Sequence, residues 1–480
     1  MSFYSIPFLI FFAVLFALYY FPLRGKVLAQ NILLLIASYF FYGYANLKLL
    51  PLLVIVTVAY YYAGIGISKA KSEKNASVLT TVSVVAAVGL LVYFKYLNFL
   101  ITSFASLFDA IGLHTNLHTF KIIMPIGLSF FVFKLISYVV EIHRGRIEPT
   151  KDIVAFATYI AFFPCIMAGP IDRPAFIEQL RKPRMFGYDI TVDGCCQFIW
   201  GLFKKVAIAD NIAPCVDNVW TDNLAMLPGG KLLMVAVLYS FQMYMDFSGY
   251  SDMAIGVGKV LGLRITRNFN YPFFAVNVAD YWRRWHMSLT SWLTDYVFMP
   301  LNVRFRNWGN AGMIVAIVIN LVLVGMWHGD NWTYALFGLY HGLLFIPLIV
   351  SGAFFKKNKI KTGRFDLPCL KDFGRMLLTF ILVTIGLIIF RADTVGNAFT
   401  YMGRIFSSSV LCFDIERRYL QCFGFIFFVM VLEWIQRKKE YALDLSGIKS
   451  APLKYVACLA VILITLIFST DSSSFIYAQF

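Results

Sequence analysis

Apolar runs of about twenty residues recur along nearly the whole chain, separated by short basic loops. In hydrocarbon every backbone N–H and C=O must find a partner inside its own segment, so such runs become helices. Candidate spans are residues 3–23, 27–45, 48–68, 77–100, 121–141, 190–210, 230–262, 309–327, 331–355, 375–391, 418–436 and 454–470. Residues 153–169 are apolar but short and end at Gly169-Pro170, which predicts a re-entrant or half-span. Charged residues make up 14% of the chain, against roughly 25% in a soluble domain. The expected fold class is therefore all-α: a polytopic integral membrane protein with about 11–13 transmembrane or re-entrant helices. No polar linker or internal repeat divides residues 1–480, so one membrane domain is expected.

Charge orients the spans. Arg24/Lys26, Lys69/Lys71/Lys74, Arg144/Arg146, the stretch Lys356 to Arg375, and Arg437/Lys438/Lys439 form the basic loops. All can lie in the cytoplasm if the N-terminus starts outside, with 101–120 and Asp471-Ser-Ser-Ser facing out. The stretch 150–310 does not alternate cleanly. The net charge of +16 is accounted for by these loops, and no basic-aromatic module lies outside the membrane runs, so no nucleic-acid partner is expected. Met1 to Leu23 lacks a basic leader region and reads as a first span, not a signal peptide. The eight cysteines are scattered without metal-ligand spacing and read as small buried hydrophobes; no metal is expected.

Four segments carry polar chemistry in apolar company. Tyr244-Met-Asp246-Phe-Ser248-Gly-Tyr250-Ser251-Asp252 places two carboxylates in a span, at about 2.5–3.5 kcal/mol for a centrally placed Asp. On a helix Asp246 shares a face with Tyr250, and Ser248 with Asp252. Two readings stand: a hydrogen-bonded knot between helices, or substrate contact. Phe162 to Pro174, with Pro170, Asp172 and Arg173, is too rich in proline and glycine for a regular helix; it is either a tunnel wall or an ordinary interfacial loop.

Residues 279–302 set Trp282, Trp285 and Trp292 beside Arg283 and Arg284, which predicts a helix lying at the headgroup level. His286 within it is a catalytic candidate or an anchor in that layer. His328, flanked by Trp327 and Gly329, is a catalytic imidazole or a helix C-cap, and the glycine allows a break and a close approach. His341 would lie about 20 Å from His328 along a continuous helix, against a shared metal. His114, His118 and His143 read as surface residues.

Met167-Ala-Gly-Pro-Ile-Asp-Arg-Pro174, Tyr244 to Asp252, Tyr281-Trp-Arg-Arg-Trp-His-Met-Ser-Leu-Thr-Ser-Trp-Leu293 and Met326-Trp-His-Gly329 occur in that order. Together they resemble the bacterial branch of the membrane-bound O-acyltransferase (MBOAT) superfamily, over a motif-bearing core of about 120–350. The alginate-acetylase type is closer than the teichoic-acid D-alanyl type. The resemblance implies helices around a tunnel open to both faces, His328 as the catalytic histidine and His286 as the second motif position.

It also implies acetyl transfer, in a bacterial cytoplasmic membrane, from a cytoplasmic thioester (acetyl-CoA or acyl carrier protein) to hydroxyls of an extracytoplasmic polysaccharide or a relay protein. No bound cofactor is implied; membrane lipids, an extracytoplasmic acyl-transfer protein and a polysaccharide acceptor are the implied partners. His328 would act as general base, with His286 or a nearby amide or hydroxyl as donor to the oxyanion. Arg283 and Arg284 would attract a donor phosphate or anchor in the headgroups. Other readings are D-alanyl or other acyl transfer to a cell-wall polymer, a transporter of a polar or lipid-linked substrate, which also needs polar residues in broken spans, and a scaffold subunit.

Overall fold

A computed structural model describes residues 1–480 except 114–117, 222, 357–359, 364–365, 414, 449 and 471–480. His114 and the Asp471 segment lie outside the described residues. The protein is an all-α polytopic membrane protein; apart from a bridge between Thr362 and Pro368, no strand pairing occurs among the described residues. Six helical stretches among these residues are long and apolar enough to cross a bilayer, and Ile6–Tyr20 and Ala451–Ile467 are shorter apolar helices. Side chains such as Ile6, Phe427 and Leu466 lie outward and exposed, as lipid-facing positions must when the solvent is hydrocarbon. The chain packs as two compact units.

The first unit comprises Met1–Cys195 and Ala254–Thr266. Its long helices are Val27–Asn46, Leu50–Ser68, Glu73–Leu91 (continued through a π-turn into Leu97–Ala110) and Leu128–His143. Small residues bring them close: a Cβ on Gly64 would sit 2.6 Å from the Tyr138 ring. The expected half-span is Ile153–Ala161, nine residues capped by Asp152 and about 14 Å long at 1.5 Å per residue. The chain then breaks and passes Gly127, where φ is +68° and a Cβ would lie 1.8 Å from the Ile166 carbonyl oxygen. Only glycine fits there.

The second unit comprises Cys196–Met253 and Arg267–Phe480. Gly229–Val260 begins in it and runs into the first unit. Gly309–His328 and Trp332–Val350 form a hairpin. Cβ atoms on Gly325 and Gly338 would fall 2.0 Å and 2.3 Å from the carbonyl oxygens of Tyr334 and Leu321. Lipid gives no hydrophobic drive to such a pair, so backbone proximity through glycine holds it. Leu370–Arg391, Arg417–Ile435 and Ala451–Ile467 complete the long helices.

The tryptophan-rich stretch departs from expectation. It is four short pieces, Val278–Trp282, Met287–Leu293, a π-turn Thr294–Phe298 and Met299–Arg304, rather than one interfacial helix. Trp282, Trp285 and Trp292 are buried in protein, so they are not headgroup anchors. The break falls at His286, whose backbone adopts the left-handed region (φ 43°, ψ 53°), rare for a residue with a Cβ. The reason is nonlocal: partners from distant segments receive the rings, with Trp282 packed on His341 at 5.3 Å and Trp285 on Phe269 at 5.0 Å.

Candidate active site

His286 is 1% exposed and His328 4%, which removes the headgroup-anchor reading of the first. The rings meet through one indole: Trp327 lies 5.6 Å from His286 and 4.9 Å from His328, centroid to centroid. His328 is the last residue of its helix, at the hairpin tip, and Phe390 packs edge-on against it at 5.0 Å. Gly329 follows in an extended conformation, where a Cβ would meet the Tyr334 ring at 2.2 Å. The glycine admits this aromatic ring.

Asn268 fixes His286. Its Oδ1 accepts from the Ser288 backbone N–H at 3.3 Å and from Ser288 Oγ at 2.9 Å, and its Nδ2 donates to Ser251 Oγ at 3.2 Å. A backbone N–H only donates, so the amide orientation is set. His286 Nδ1, 3.0 Å from the same Oδ1, must therefore carry the hydrogen. The neutral ring then presents Nε2 as an acceptor. Donation to an oxyanion, the role expected from sequence, would need a proton that this tautomer lacks at Nε2. Phe247 closes the ring's other side at 4.7 Å. Nothing in the sequence marked Asn268, which follows the long helix and precedes the tryptophan motif.

His341 lies on the second arm of the hairpin. The chain is not continuous from His328; it breaks and returns antiparallel on Trp332–Val350. His341 is buried, and its Nδ1 accepts from Trp282 Nε1 at 3.3 Å. Gly386 lies so close that a Cβ there would fall 2.5 Å from His341 Nε2. Phe337 touches both His341, at 4.7 Å, and Phe390, at 5.1 Å, so one aromatic layer joins the third histidine to the second. His118 and His143 are exposed, as expected.

The acidic run is mostly committed to ion pairs. Lys205 Nζ lies 2.8 Å from both Asp246 and Asp210. Lys204 Nζ donates to Asp252 at 2.6 Å and Ser248 at 2.9 Å, and Gln197 donates to Asp252 at 2.9 Å. Ser248 and Asp252 thus share a face. Both lysines leave a π-helical turn, Phe203–Ala209, a geometry frequent at functional sites. Tyr250 is half-buried, and Ser251, through Asn268, and Phe247, by ring contact, tie the run to His286. Arg284 is held by Asp280 at 3.0 Å, while Arg283, exposed, donates to the Phe354 carbonyl at 2.9 Å.

Pro170, Asp172 and Arg173 belong to the first unit, the histidines to the second. Asp172 is buried and accepts from the Thr266 N–H at 3.0 Å and hydroxyl at 2.8 Å; its backbone carbonyl accepts from Tyr159 OH at 3.1 Å. It staples the returning segment to its own unit. The cysteines are less uniform than expected: Cys195 and Cys412 are exposed, and Cys196 Sγ lies 3.3 Å from Cys458 Sγ. No group of three or more metal-ligating side chains occurs among the described residues.

Two buried imidazoles, one with a fixed tautomer, thus pack against one indole. The pattern of the membrane-bound O-acyltransferase family matches residues 36–388. The chain is 37% identical to "Probable alginate O-acetylase AlgI" of Azotobacter vinelandii over 85% of its own length and 78% of the relative's. It is 32% identical to "Peptidoglycan O-acetyltransferase" of Helicobacter pylori, over 76% and 71% of the two chains. With "Teichoic acid D-alanyltransferase" of Bacillus subtilis it shares 31% identity over 47% and 58%. Burial of both motif histidines and the match across most of the chain lead to one assignment: this protein belongs to the membrane-bound O-acyltransferase family and is an O-acyltransferase.

Proposed function

We propose that residues 1–480 work as one membrane domain that moves an acetyl group from a cytoplasmic thioester, acetyl-CoA or an acyl carrier protein, to a hydroxyl outside. The acceptor is an extracytoplasmic polysaccharide or a relay protein that passes the group on. The membrane in question is the bacterial cytoplasmic membrane, and a tunnel brings donor and acceptor together. The relatives named for alginate and peptidoglycan acetylation support this reading. The single observation that carries it is the pair of buried imidazoles in contact with Trp327.

In this reading His328 takes the acceptor hydroxyl's proton as oxygen attacks the thioester carbonyl. The tetrahedral intermediate collapses, the C–S bond breaks, and the imidazolium returns the proton to the departing thiolate. His286, its Nδ1–H spent on Asn268, accepts a hydrogen bond from the hydroxyl and orients it. The oxyanion is left to backbone amides or the Trp327 indole N–H. Arg283 attracts a phosphate of the donor; Arg284 and Trp285 hold the His286 turn. The knot of Asp246, Ser248 and Asp252 with the lysines supports the site from behind.

Mass spectrometry of surface glycans, comparing wild type with His328→Ala and His328→Gln at equal expression, tests the proposal. Loss of acetyl esters in both variants is expected. Normal acetylation in either would overturn it, and D-alanyl esters in place of acetyl would select the teichoic-acid-like reading.

A further inference from the structure

The second unit holds a cavity of about 530 Å³ that the acyl-transfer chemistry does not use. Its wall is hydrocarbon, including Phe274, Met376, Met430 and the ring of Trp434. The inner end is shut by Phe241, Phe273 and Phe380, whose centroids are 4.9, 5.6 and 5.2 Å apart. Behind Phe273 stand Tyr244 at 5.1 Å and Trp285 at 6.5 Å, so the cavity stops an aromatic layer short of His286. The one polar atom of Trp434, Nε1, is already donated to the Asp366 carbonyl at 3.1 Å. A sugar, nucleotide or pantetheine arm would lose its hydrogen bonds here; an alkyl chain loses nothing.

The mouth identifies the chain's carrier. Leu367, Phe373 and Leu377 are about half exposed there, at the start of Leu370–Arg391. Arg437 stacks on Trp434 at 4.4 Å and pairs with Asp366, and Arg375 pairs with Asp372 at 3.0 Å. Against Asp366, Asp372 and the exposed Glu440 stand Arg375, Arg437 and the exposed Lys361, Lys371 and Lys438, which leaves an excess of positive charge beside an apolar slot. We propose that this cavity holds one acyl chain of an anionic phospholipid, with its phosphate against these lysines. The bound chain braces Phe273, and through it Trp285, from the lipid side. The inference stands apart from the acyl-transfer reading.

The test compares purified wild type, Met430→Trp, which fills the cavity, and Lys371→Gln/Lys438→Gln. Each is released from phosphatidylcholine nanodiscs doped with phosphatidylglycerol and examined by native mass spectrometry. Wild type is expected to retain phosphatidylglycerol and Met430→Trp to lose it. The double variant should keep a lipid while its preference for phosphatidylglycerol over phosphatidylcholine falls about fivefold per charge removed. Independently of any variant's folding, a diazirine-tailed phosphatidylglycerol should cross-link wild type at peptides containing Met376 or Met430. Equal retention by wild type and Met430→Trp, cross-links confined to other segments, or displacement of the lipid by long-chain acyl-CoA would overturn the proposal.

Discussion

The second unit buries two polar clusters, and they are built on opposite principles. Around Lys204 and Lys205 the charges are paired: Asp252 on Lys204, Asp246 and Asp210 sharing Lys205, with Tyr244 donating to Glu433 at 2.8 Å nearby. Around Trp327 the ionisable groups are imidazoles among aromatic rings, with one amide to orient His286. A paired ion in a low-dielectric interior is held tightly, and moving its proton would strand the partner. A neutral imidazole can gain and lose a proton with no countercharge to abandon. In the proposed reading the first arrangement serves as a scaffold and the second as the place for chemistry.

That contrast breaks first at His328. His328→Ala should lower kcat by about 10²–10⁴-fold, the usual contribution of a general base, while yield and thermal unfolding in detergent stay near wild type. Lys205→Met should do the reverse. It strands Asp246 and Asp210 at a cost of about 3–5 kcal/mol, read as loss of folded protein by fluorescence-detected gel filtration. An active, well-folded Lys205→Met protein would show that the knot is not a scaffold.

His341 sharpens the boundary, because it is buried like the scaffold and aromatic like the site. His341→Asn keeps an acceptor for the Trp282 N–H and should retain most activity, whereas His341→Leu leaves that donor unmatched, for about 1–3 kcal/mol. If His341 positions Trp282 and the turn to His286, the Leu variant lowers kcat with KM unchanged and Asn rescues it. Asn268→Leu should give a smaller loss, about 10-fold in kcat for roughly 1.4 kcal/mol of lost orientation, with a shifted pH–rate profile because the His286 tautomer is released.

The smallest effect lies outside both clusters. Asp366 accepts from Arg437, which holds its carboxyl below the ordinary carboxylate range. A depressed folded-state value adds stability that is complete above the unfolded Asp value, near 4, and is lost as pH falls through the depressed one. Asp366 has φ +57°, which Asn tolerates, so Asp366→Asn isolates the charge. Its Tm should fall slightly below wild type at neutral pH and match it under strong acid.

Much of this protein was legible before folding. The positions of the long helices followed from hydropathy, because a bilayer tests each segment by its own composition. The pairing of Ser248 with Asp252 followed from helical period. The tryptophans misled because the same amphipathic ring suits a headgroup layer and an aromatic core, and which one it meets depends on residues far along the chain. His341 was set aside on a distance valid only for an unbroken helix. The cations for Asp246 and Asp252 were in plain view at Lys204 and Lys205, but no local spacing links them.

The sequence by itself determined an all-α membrane protein, its helices and the two motif histidines, since burial in lipid and helical period are properties of single segments. Tertiary structure alone decided that Trp327 joins those histidines, that Asn268 sets the tautomer of one, and that a lysine pair neutralises the acidic run. Those outcomes depend on contacts a few ångströms long between residues up to dozens of positions apart, and such contacts exist only once the helices have packed.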